Sequence, residues 1–284
     1  MAVVTIARFT LLEASRRRVL ITVGLLTLVM IAFTAWGFSR LLTLQCGGSP
    51  CNPTEIRLAT AILVILVAYA FNVILAMGSV FIAAPTIAGE IESGLSLAIL
   101  PRPIRRAEVV LGKWLALGLL VALYTVLTTG LEFIAVKLVL DYLPPHPFAA
   151  IFYLTGEAVV LLTLAVLIST RLAPMAGGVI AVIVFGMAWL AGVAEAIGLA
   201  FDNTVLTNVG VAMSLLLPTD GLWRGAVYSL EPIAVIGVGS ASRAASINPF
   251  FAAAPPPAPF LVWAAAWVVV VLSLAVFSFN RRDL

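Results

Sequence analysis

Three glutamates lie within otherwise apolar stretches of this chain, where an ionisable side chain is costly and usually marks a functional site. Glu132 and Glu195 fall near the ends of their stretches. Glu157 lies about two to three helical turns into its own apolar stretch, one turn from Tyr153. Asn72 adds an amide in the middle of a fourth apolar stretch. Together these five residues could line a translocation path for a cationic or polar substrate.

Two of the glutamates also have a purely structural interpretation. Glu132 could pair with Lys137 or face the lipid headgroups. Glu157 could be a buried, protonated packing residue. The sequence leaves both interpretations open beside the path.

Two cysteines, Cys46 and Cys51, share a short loop with the sequence QCGGSPCNP. Two glycines make such a loop flexible enough to bring the sulfur atoms within bonding distance in an oxidising compartment. We predict a structural disulfide. Two free thiols, or a redox or metal-handling pair, remain alternatives because spacing alone does not decide.

Motifs for enzymatic chemistry are missing from the sequence. Gly112-Lys113-Trp114 lacks the glycine spacing and the hydroxyl residue of a phosphate-binding loop, so we do not expect ATP hydrolysis by this chain. His146, the sole histidine, lies in a PPHP stretch that adds no second ligand, so no metal site is predicted. Patterns typical of metalloproteases, serine hydrolases and intramembrane aspartyl proteases are also missing. The sequence therefore predicts a non-enzymatic protein that binds no cofactor itself.

The composition excludes an ordinary soluble protein. Of 284 residues, 63% are hydrophobic and 10% are charged, with a mean hydropathy of +1.17; soluble domains carry about 25% charged residues. The net charge of +3 gives little support to nucleic-acid binding, because the placement of Lys and Arg matters more than their sum in a membrane protein. We expect one all-α integral membrane domain over residues 1–284.

Six apolar stretches are long enough to cross roughly 30 Å of hydrocarbon as helices. The predicted spans are residues 19–42, 58–84, 109–136, 148–169, 175–199 and 259–279. The first span is too long for the apolar core of a signal peptide, so we expect it to stay in the membrane. Before it, residues 4–18 predict an interfacial elbow helix with Ile6, Phe9 and Leu12 on one side.

Basic residues set the predicted orientation, because Lys and Arg in short loops are retained in the cytoplasm. With the N-terminus inside, eleven of the 16 basic residues are cytoplasmic. The five outside would be Arg40, Arg57, Lys137, Arg224 and Arg243. Six spans then return the C-terminus to the cytoplasm.

Residues 200–258 form a predicted outer segment between the last two spans. Within it, residues 205–217 are apolar but too short to cross. The sequence from Thr219 to Arg224 indicates an interfacial turn followed by an amphipathic helix. Prolines at 255, 256, 257 and 259 predict an extended entry into the last span.

The connection between the second and third spans, residues 84–113, is acidic at its start and basic at its end. Gly89 and Gly94 can break a helix around Glu90 and Glu92. An apolar face that a partner could cover is supplied by Leu95, Leu97, Ile99 and Leu100. We predict a cytoplasmic coupling helix here.

In this connection the chain resembles the ABC type-2 exporter permeases, which carry E-x-x-x-G and leucines, then Ser/Pro-Arg-Pro-x-x-Arg and Gly-Lys. The matching residues are Glu90, Gly94, Leu100, Arg102, Pro103, Arg106, Gly112 and Lys113. The stretch LPTDGLWR at 217–224 and the closing FNRRDL are similar too, so the resemblance covers the whole chain. It is strongest to the subgroup with the nitrous-oxide reductase maturation permease and small multidrug or lipid-type exporters.

The resemblance implies a permease of the bacterial or archaeal plasma membrane that pairs with a second copy or a homologue. Two copies of a separate cytoplasmic ATPase subunit would use ATP and Mg to drive export, or to do work on an extracytoplasmic protein. The ATPase contacts would include Glu90, Glu92, Gly94, Leu97 and Leu100. The basic residues Arg102, Arg105, Arg106 and Lys113 would anchor to lipid phosphates, or would only enforce topology.

Two other functions compete with the permease. A non-transporting membrane scaffold could recruit a cytoplasmic partner through the same connection. An ion-coupled secondary transporter is disfavoured, because the sequence shows no inverted repeat and no broken helix within the membrane.

Overall fold

The computed structural model of the chain describes residues 2–15, 18–41, 45–46, 49–50, 52–92, 105–232 and 248–282. These residues are helical, apart from turns, short connecting segments and a two-residue antiparallel ladder that pairs Gln45 with Pro50 and Cys46 with Ser49. The predicted all-α fold is confirmed. The helices are α1 (Ala2–Ser15), α2 (Arg18–Leu41), α3 (Pro53–Ala83), α4 (Pro85–Glu92), α5 (Arg106–Leu140), α6 (Pro147–Ser169), α7 (Pro174–Ala200), α8 (Thr204–Leu216), α9 (Thr219–Leu230) and α10 (Ala258–Asn280).

Five helical segments of the described chain are long and apolar enough to cross a membrane. Four of them are α5, α6, α7 and α10, and the fifth is Ile56–Glu92, in which α3 continues into α4. These segments agree with the second to sixth predicted spans. The second extends past its predicted end because Pro85 opens the first turn of α4, where its missing N–H needs no partner. α2, with 24 residues, lies within one residue of the predicted first span.

The pair α8 and α9 is bent by 96° and was not expected from the sequence. Thr219 to Arg224 form the first half of a helix, in agreement with the predicted amphipathic helix, but the predicted turn is not present at these residues and most side chains of the helix are buried. Leu222 and Trp223 pack in the two apolar cores of the bundle. A broken helix inside the bundle is therefore present, contrary to expectation.

Both ends of the α8–α9 pair lie at the same end of the bundle. Asn203 N, just before α8, donates to Gly198 O near the C-terminus of α7. Ser229 O, near the end of α9, accepts a hydrogen bond from His146 N at the start of α6. Because α6 and α7 are consecutive antiparallel helices, these two sites are on one side. The pair enters and leaves the bundle from that end, as a re-entrant element does.

The α8–α9 break reaches about halfway along the bundle. Trp267 Nε1 of α10 donates to Leu216 O at 2.7 Å, and Trp263 Nε1 donates to Leu215 O at 3.0 Å. Trp267 lies nine residues after the start of α10, about 14 Å along the helix axis. The break thus lies deep among the candidate spans.

The N-terminal helix α1 packs along the first turns of α5. Ala7 is buried, and Ile6 lies against Gly112, where a Cβ would come within 2.9 Å of the Ile6 side chain and of Val3 O. Glycine is therefore required for this close approach. Phe9 and Leu12 point away from the bundle, on a face suited to lipid.

Candidate functional site

Two regions of the bundle bring predicted functional residues together. One is the end where α4 ends and α5 begins, which we call the connector end. The other is a group of buried and partly buried side chains near the α8–α9 break, which we call the central polar cluster. Its members are Asn72, Tyr153, Glu157, Glu195, Asp220 and Arg224. The opposite end of the bundle, with the ladder between α2 and α3, is the hairpin end.

Helix α9 carries two charged residues into the central polar cluster. The Asp220 carboxylate accepts from Arg224 Nε at 2.8 Å, and Arg224 Nη2 donates to Gly192 O at 2.7 Å. Arg224 Nη2 also lies 3.4 Å from Glu195 Oε2 on α7. A Cβ at position 192 would overlap the Asp220 carboxylate, so Gly192 allows α9 to approach α7 this closely. One guanidinium therefore joins two carboxylates.

Glu157 of α6 lies at the deepest point of the central polar cluster. Its Oε1 accepts a hydrogen bond from Asn72 Nδ2 of α3 at 3.0 Å, and the side chain is fully buried. Glu157 is also within electrostatic range of Asp220. Three helices thus place an amide and two carboxyl groups in one apolar interior, where each group is poorly solvated.

Aromatic side chains surround this cluster. The Tyr69 ring, one turn before Asn72 on α3, lies 5.4 Å from the Trp223 ring and 5.1 Å from the Phe250 ring, centroid to centroid. The Trp189 ring of α7 lies 6.0 Å from Tyr69. The four rings therefore pack against one another in a group centred on Tyr69.

A short segment before α10 covers the cluster from the hairpin end. Trp223 Nε1 donates to Pro249 O at 3.2 Å, and Ala252 N donates to Glu231 Oε2 at 3.3 Å. Glu231, which follows α9, is buried, and this burial raises its pKa to about 7 although the Ala252 hydrogen bond lowers it. Asp220, Arg224, Asn248, Pro249 and Phe251 line a small pocket beside this segment.

Four of the five predicted path residues meet in this region, and Glu132 does not. Glu132 Oε2 accepts from Thr34 Oγ1 of α2 at 3.0 Å, and Glu132 is buried between α2 and α5. Its suggested partner Lys137 pairs instead with Asp141 at 2.5 Å. The predicted path residues therefore lie in two separate places. Four belong to the central polar cluster, and Glu132 lies between α2 and α5.

Sequence reasoning missed Asp220 and Arg224 as members of this cluster. Both were assigned to an interfacial turn and amphipathic helix, because the stretch containing them is less apolar than the spans. The available signal was their spacing of four residues in a helix, which favours an ion pair. Tyr69 was missed because an aromatic residue in a span is ordinarily a packing residue.

At the connector end, the acidic start of the connection is tied to its basic end. The Lys113 ammonium forms an ion pair with Glu90 and donates to Thr86 O at 2.6 Å. Lys113 is buried, so its ammonium group takes part in an internal contact and not in a lipid phosphate contact. Glu92, at the end of α4, is exposed.

Arg106 joins the start of α5 to the end of α10. Its Nη1 donates to the carbonyls of Phe279, Asn280 and Arg282, at 3.3, 3.2 and 2.8 Å. Arg282 Nη1 in turn donates to Thr170 O, at the end of α6, at 2.6 Å. Cations at a helix C-terminus are favourable, because they compensate unpaired carbonyls and the helix dipole.

Several predicted residues lie outside the described part of the chain. They are Gly94, Leu97, Leu100, Arg102 and Pro103 of the connection, together with Cys51 and the side chain of Cys46. Of the predicted coupling helix, the structure describes Glu90, Ile91 and Glu92, as the last residues of α4. The disulfide stays a prediction.

The chain matches no protein-family model, and no curated protein has a similar sequence.

Proposed function

We propose that the chain is the transmembrane permease subunit of an ABC transporter in a bacterial or archaeal plasma membrane. A separate cytoplasmic ATPase would drive export of a substrate or work on an extracytoplasmic partner. In this proposal α2, α3–α4, α5, α6, α7 and α10 cross the membrane, both termini are cytoplasmic, and α1 is the interfacial elbow. A second permease copy or a homologue completes the transporter.

The observation that carries this proposal is the anchoring of the connection at both of its flanks. Glu90, just before residues 93–105, is paired with Lys113 of α5, and Arg106, just after them, holds the C-terminus of α10. A force applied to these residues would pass directly to α3–α4, α5 and α10. This is the mechanical property that a coupling segment needs.

Two of these elements, α3–α4 and α10, extend toward the central polar cluster. α10 is held to the connector end by Arg106 and to the α8–α9 break by Trp263 and Trp267. ATP binding can drive transport only if it favours one of two permease conformations, and the difference must be transmitted through contacts of this kind. α10 joins the connector end to the α8–α9 break, and α3–α4 carries both Glu90 and Asn72.

Affinity purification of the tagged chain from native membranes tests the proposal. We expect an ABC ATPase subunit carrying a phosphate-binding loop to co-purify, with ATP hydrolysis in the purified complex. Mass spectrometry and phosphate release provide the two measurements. Recovery of the chain with other cytoplasmic proteins but with neither an ABC ATPase nor hydrolysis would contradict the permease and favour the scaffold.

A matched pair of variants locates the contact. Glu92→Gln and Asp202→Asn each remove one exposed carboxylate with little change in size, at opposite ends of the bundle. If Glu92 contacts the ATPase, its loss should weaken the complex roughly tenfold, the effect of losing about 1.4 kcal/mol. Asp202→Asn should retain wild-type recovery.

A further inference from the structure

Helix α8, which reaches about halfway along the bundle, is packed on one side and exposed on the other. On the packed side, a Cβ at Gly198 of α7 would come within 2.5 Å of Thr207 N, and a Cβ at Gly210 would overlap the Glu195 side chain. The other side, which we call the exposed α8 face, consists of Thr204, Val205, Asn208, Val209, Val211, Ala212, Leu215 and Leu216. Eight of the 13 residues of α8 are therefore left uncovered.

The exposed α8 face continues to the α8–α9 break, deep among the candidate spans. The Leu216 side chain is 63% exposed there. Pro218 has no N–H to donate to Ser214 O, one turn earlier. The next two carbonyls, of Leu215 and Leu216, accept from indoles of α10 in place of backbone N–H groups. The helix end thus brings backbone carbonyls to an uncovered surface at this depth.

Neither lipid nor water suits this surface. Hydrocarbon offers no hydrogen-bond partner, so a helix end inside a membrane is tolerated where protein covers it or where it lines a water-filled cavity. Six of the eight residues of the exposed α8 face are valine, leucine or alanine, which makes it too apolar to line a cavity. Asn208 adds an exposed amide, which lipid would also leave unsatisfied. A protein surface is the cover that fits both properties.

We infer that the exposed α8 face is the surface on which a second copy of this chain packs. This inference rests on the proposed permease function, because it names the surface through which the permease pairs. Residues 204–216 include no charged side chain, so two copies of the face can meet in the membrane without burying an unpaired charge. Two-fold pairing also brings both Asn208 amides to one interface, where they can hydrogen-bond to each other.

The shape of the exposed α8 face favours close packing of two helices. Its central residues, Val209, Val211 and Ala212, have short side chains that allow two backbones to approach. Helices associate in membranes through van der Waals packing of this kind. Because the opposite side of α8 packs on Glu195, the pairing surface lies directly behind the central polar cluster.

Cysteine cross-linking in native membranes tests the inference. Val205, Val209, Ala212 and Leu216 are each replaced by cysteine in the full chain carrying Cys46→Ser and Cys51→Ser, and disulfides are formed with copper phenanthroline. A two-fold interface places some residues beside their own copies near the axis. We expect a disulfide-linked dimer on non-reducing gels for at least one position, in at least fivefold higher yield than for a control position.

Val126→Cys is the matched control. Val126 of α5 and Val209 are the same residue type and are 46% and 49% exposed, so random collisions affect both similarly. Equal yields at Val126 and at the best α8 position would overturn the inference. Failure of all four α8 positions to cross-link would also overturn it, and would leave another part of the chain, a homologue or lipid as the cover.

A bulky substitution provides a second measurement. Val209→Trp should lower the dimer fraction at least tenfold, counted by photobleaching steps of labelled chain in lipid vesicles, while Val126→Trp should leave it unchanged. Val209 is exposed, so the larger side chain enters no core within the chain. A wild-type chain that is monomeric in these vesicles, or equal dimer fractions in the two variants, would overturn the inference.

The result is distinguishable from the test of the proposed function. Cross-linking at the exposed α8 face without co-purification of an ABC ATPase would reject the ATP-driven permease and keep the pairing surface. Co-purification of the ATPase without cross-linking at these positions would keep the permease and reject the pairing surface.

Discussion

Buried carboxyl groups are the residues with the largest energetic consequences in this chain. Glu132, Glu157 and Glu231 are nearly inaccessible, and each has one hydrogen-bond donor, from Thr34, Asn72 and Ala252 N respectively. A single donor does not replace the hydration of a carboxylate, so ionisation of such a group opposes folding. This effect can be tested at Glu231, because Glu231 lies after α9 and outside the candidate spans.

Stability should fall with rising pH because of Glu231. Its pKa is about 7 in the folded chain, raised by burial from an ordinary value of 4.5. Between pH 4.5 and about pH 7, Glu231 has lost its proton in the unfolded chain but keeps it in the folded chain. The stabilisation from Glu231 protonation is therefore present at low pH and is lost as pH rises through 7. From pH 5 to pH 8, Glu231→Gln should lose less thermal stability than wild type, by about 2–4 °C in Tm. Thermal unfolding in detergent at both pH values checks this, and identical pH dependence in the two proteins would contradict it.

At the scale of elements, α10 is the helix with polar contacts at both the connector end and the α8–α9 break. Its two tryptophans donate to carbonyls at the break, and its last carbonyls accept from Arg106. Thr170 Oγ1 and Ser278 Oγ, 2.8 Å apart, add a contact to the end of α6. A hydrogen-bonded helix end in an apolar bundle frays less, so Arg106 should hold α10 in register.

Arg106→Ala should loosen the end of α10, and Arg105→Ala should not. The two variants remove the same charge from adjacent positions, but Arg106 donates to three α10 carbonyls while Arg105 is exposed. We expect a loss of about 1–2 kcal/mol for Arg106→Ala, as for charged hydrogen bonds at a partly exposed site. Amide hydrogen exchange of the last turn of α10 measures it. Equal exchange in both variants would show that Arg106 acts by charge alone.

At the scale of the whole molecule, each end of the bundle carries its own group of interacting charged side chains. At the connector end, Arg106 and Arg171 donate to the end of α10, and Arg282 donates to Thr170 O at the end of α6. Arg57 and Asp141 interact at the hairpin end. Because the α8–α9 pair enters and leaves the bundle at the hairpin end, it does not change how often the chain passes from one end of the bundle to the other. This arrangement is the basis of the proposed topology, with the connector end in the cytoplasm.

Cysteine labelling tests that topology. In a chain with Cys46 and Cys51 replaced by serine, Asp202→Cys and Pro232→Cys flank α8–α9, and Arg171→Cys marks the connector end. An impermeant maleimide should label positions 202 and 232 in intact cells, and position 171 after permeabilisation only. Labelling of 202 and 232 from opposite sides would show that the α8–α9 pair crosses the membrane.

The sequence determined the candidate spans of this chain because hydrophobicity over about 20 residues is a local and additive property. Helix bounds such as Pro147–Ser169 and Pro174–Ala200 therefore agree with the predicted stretches within a few residues. The sequence also identified Glu157 and Asn72 as residues needing a special explanation, since a polar side chain in an apolar stretch is evident without a structure.

The tertiary structure alone decided which of these residues meet. The Glu90–Lys113 pair, the Asn72–Glu157 hydrogen bond and the approach of Asp220 to Gly192 join residues between 23 and 85 positions apart. The re-entrant α8–α9 pair was likewise undetermined, because α8 has 13 residues and α9 is polar enough to resemble an interfacial helix. Its burial depends on glycines and on aromatic partners from other helices, and local composition carries no information about such long-range contacts.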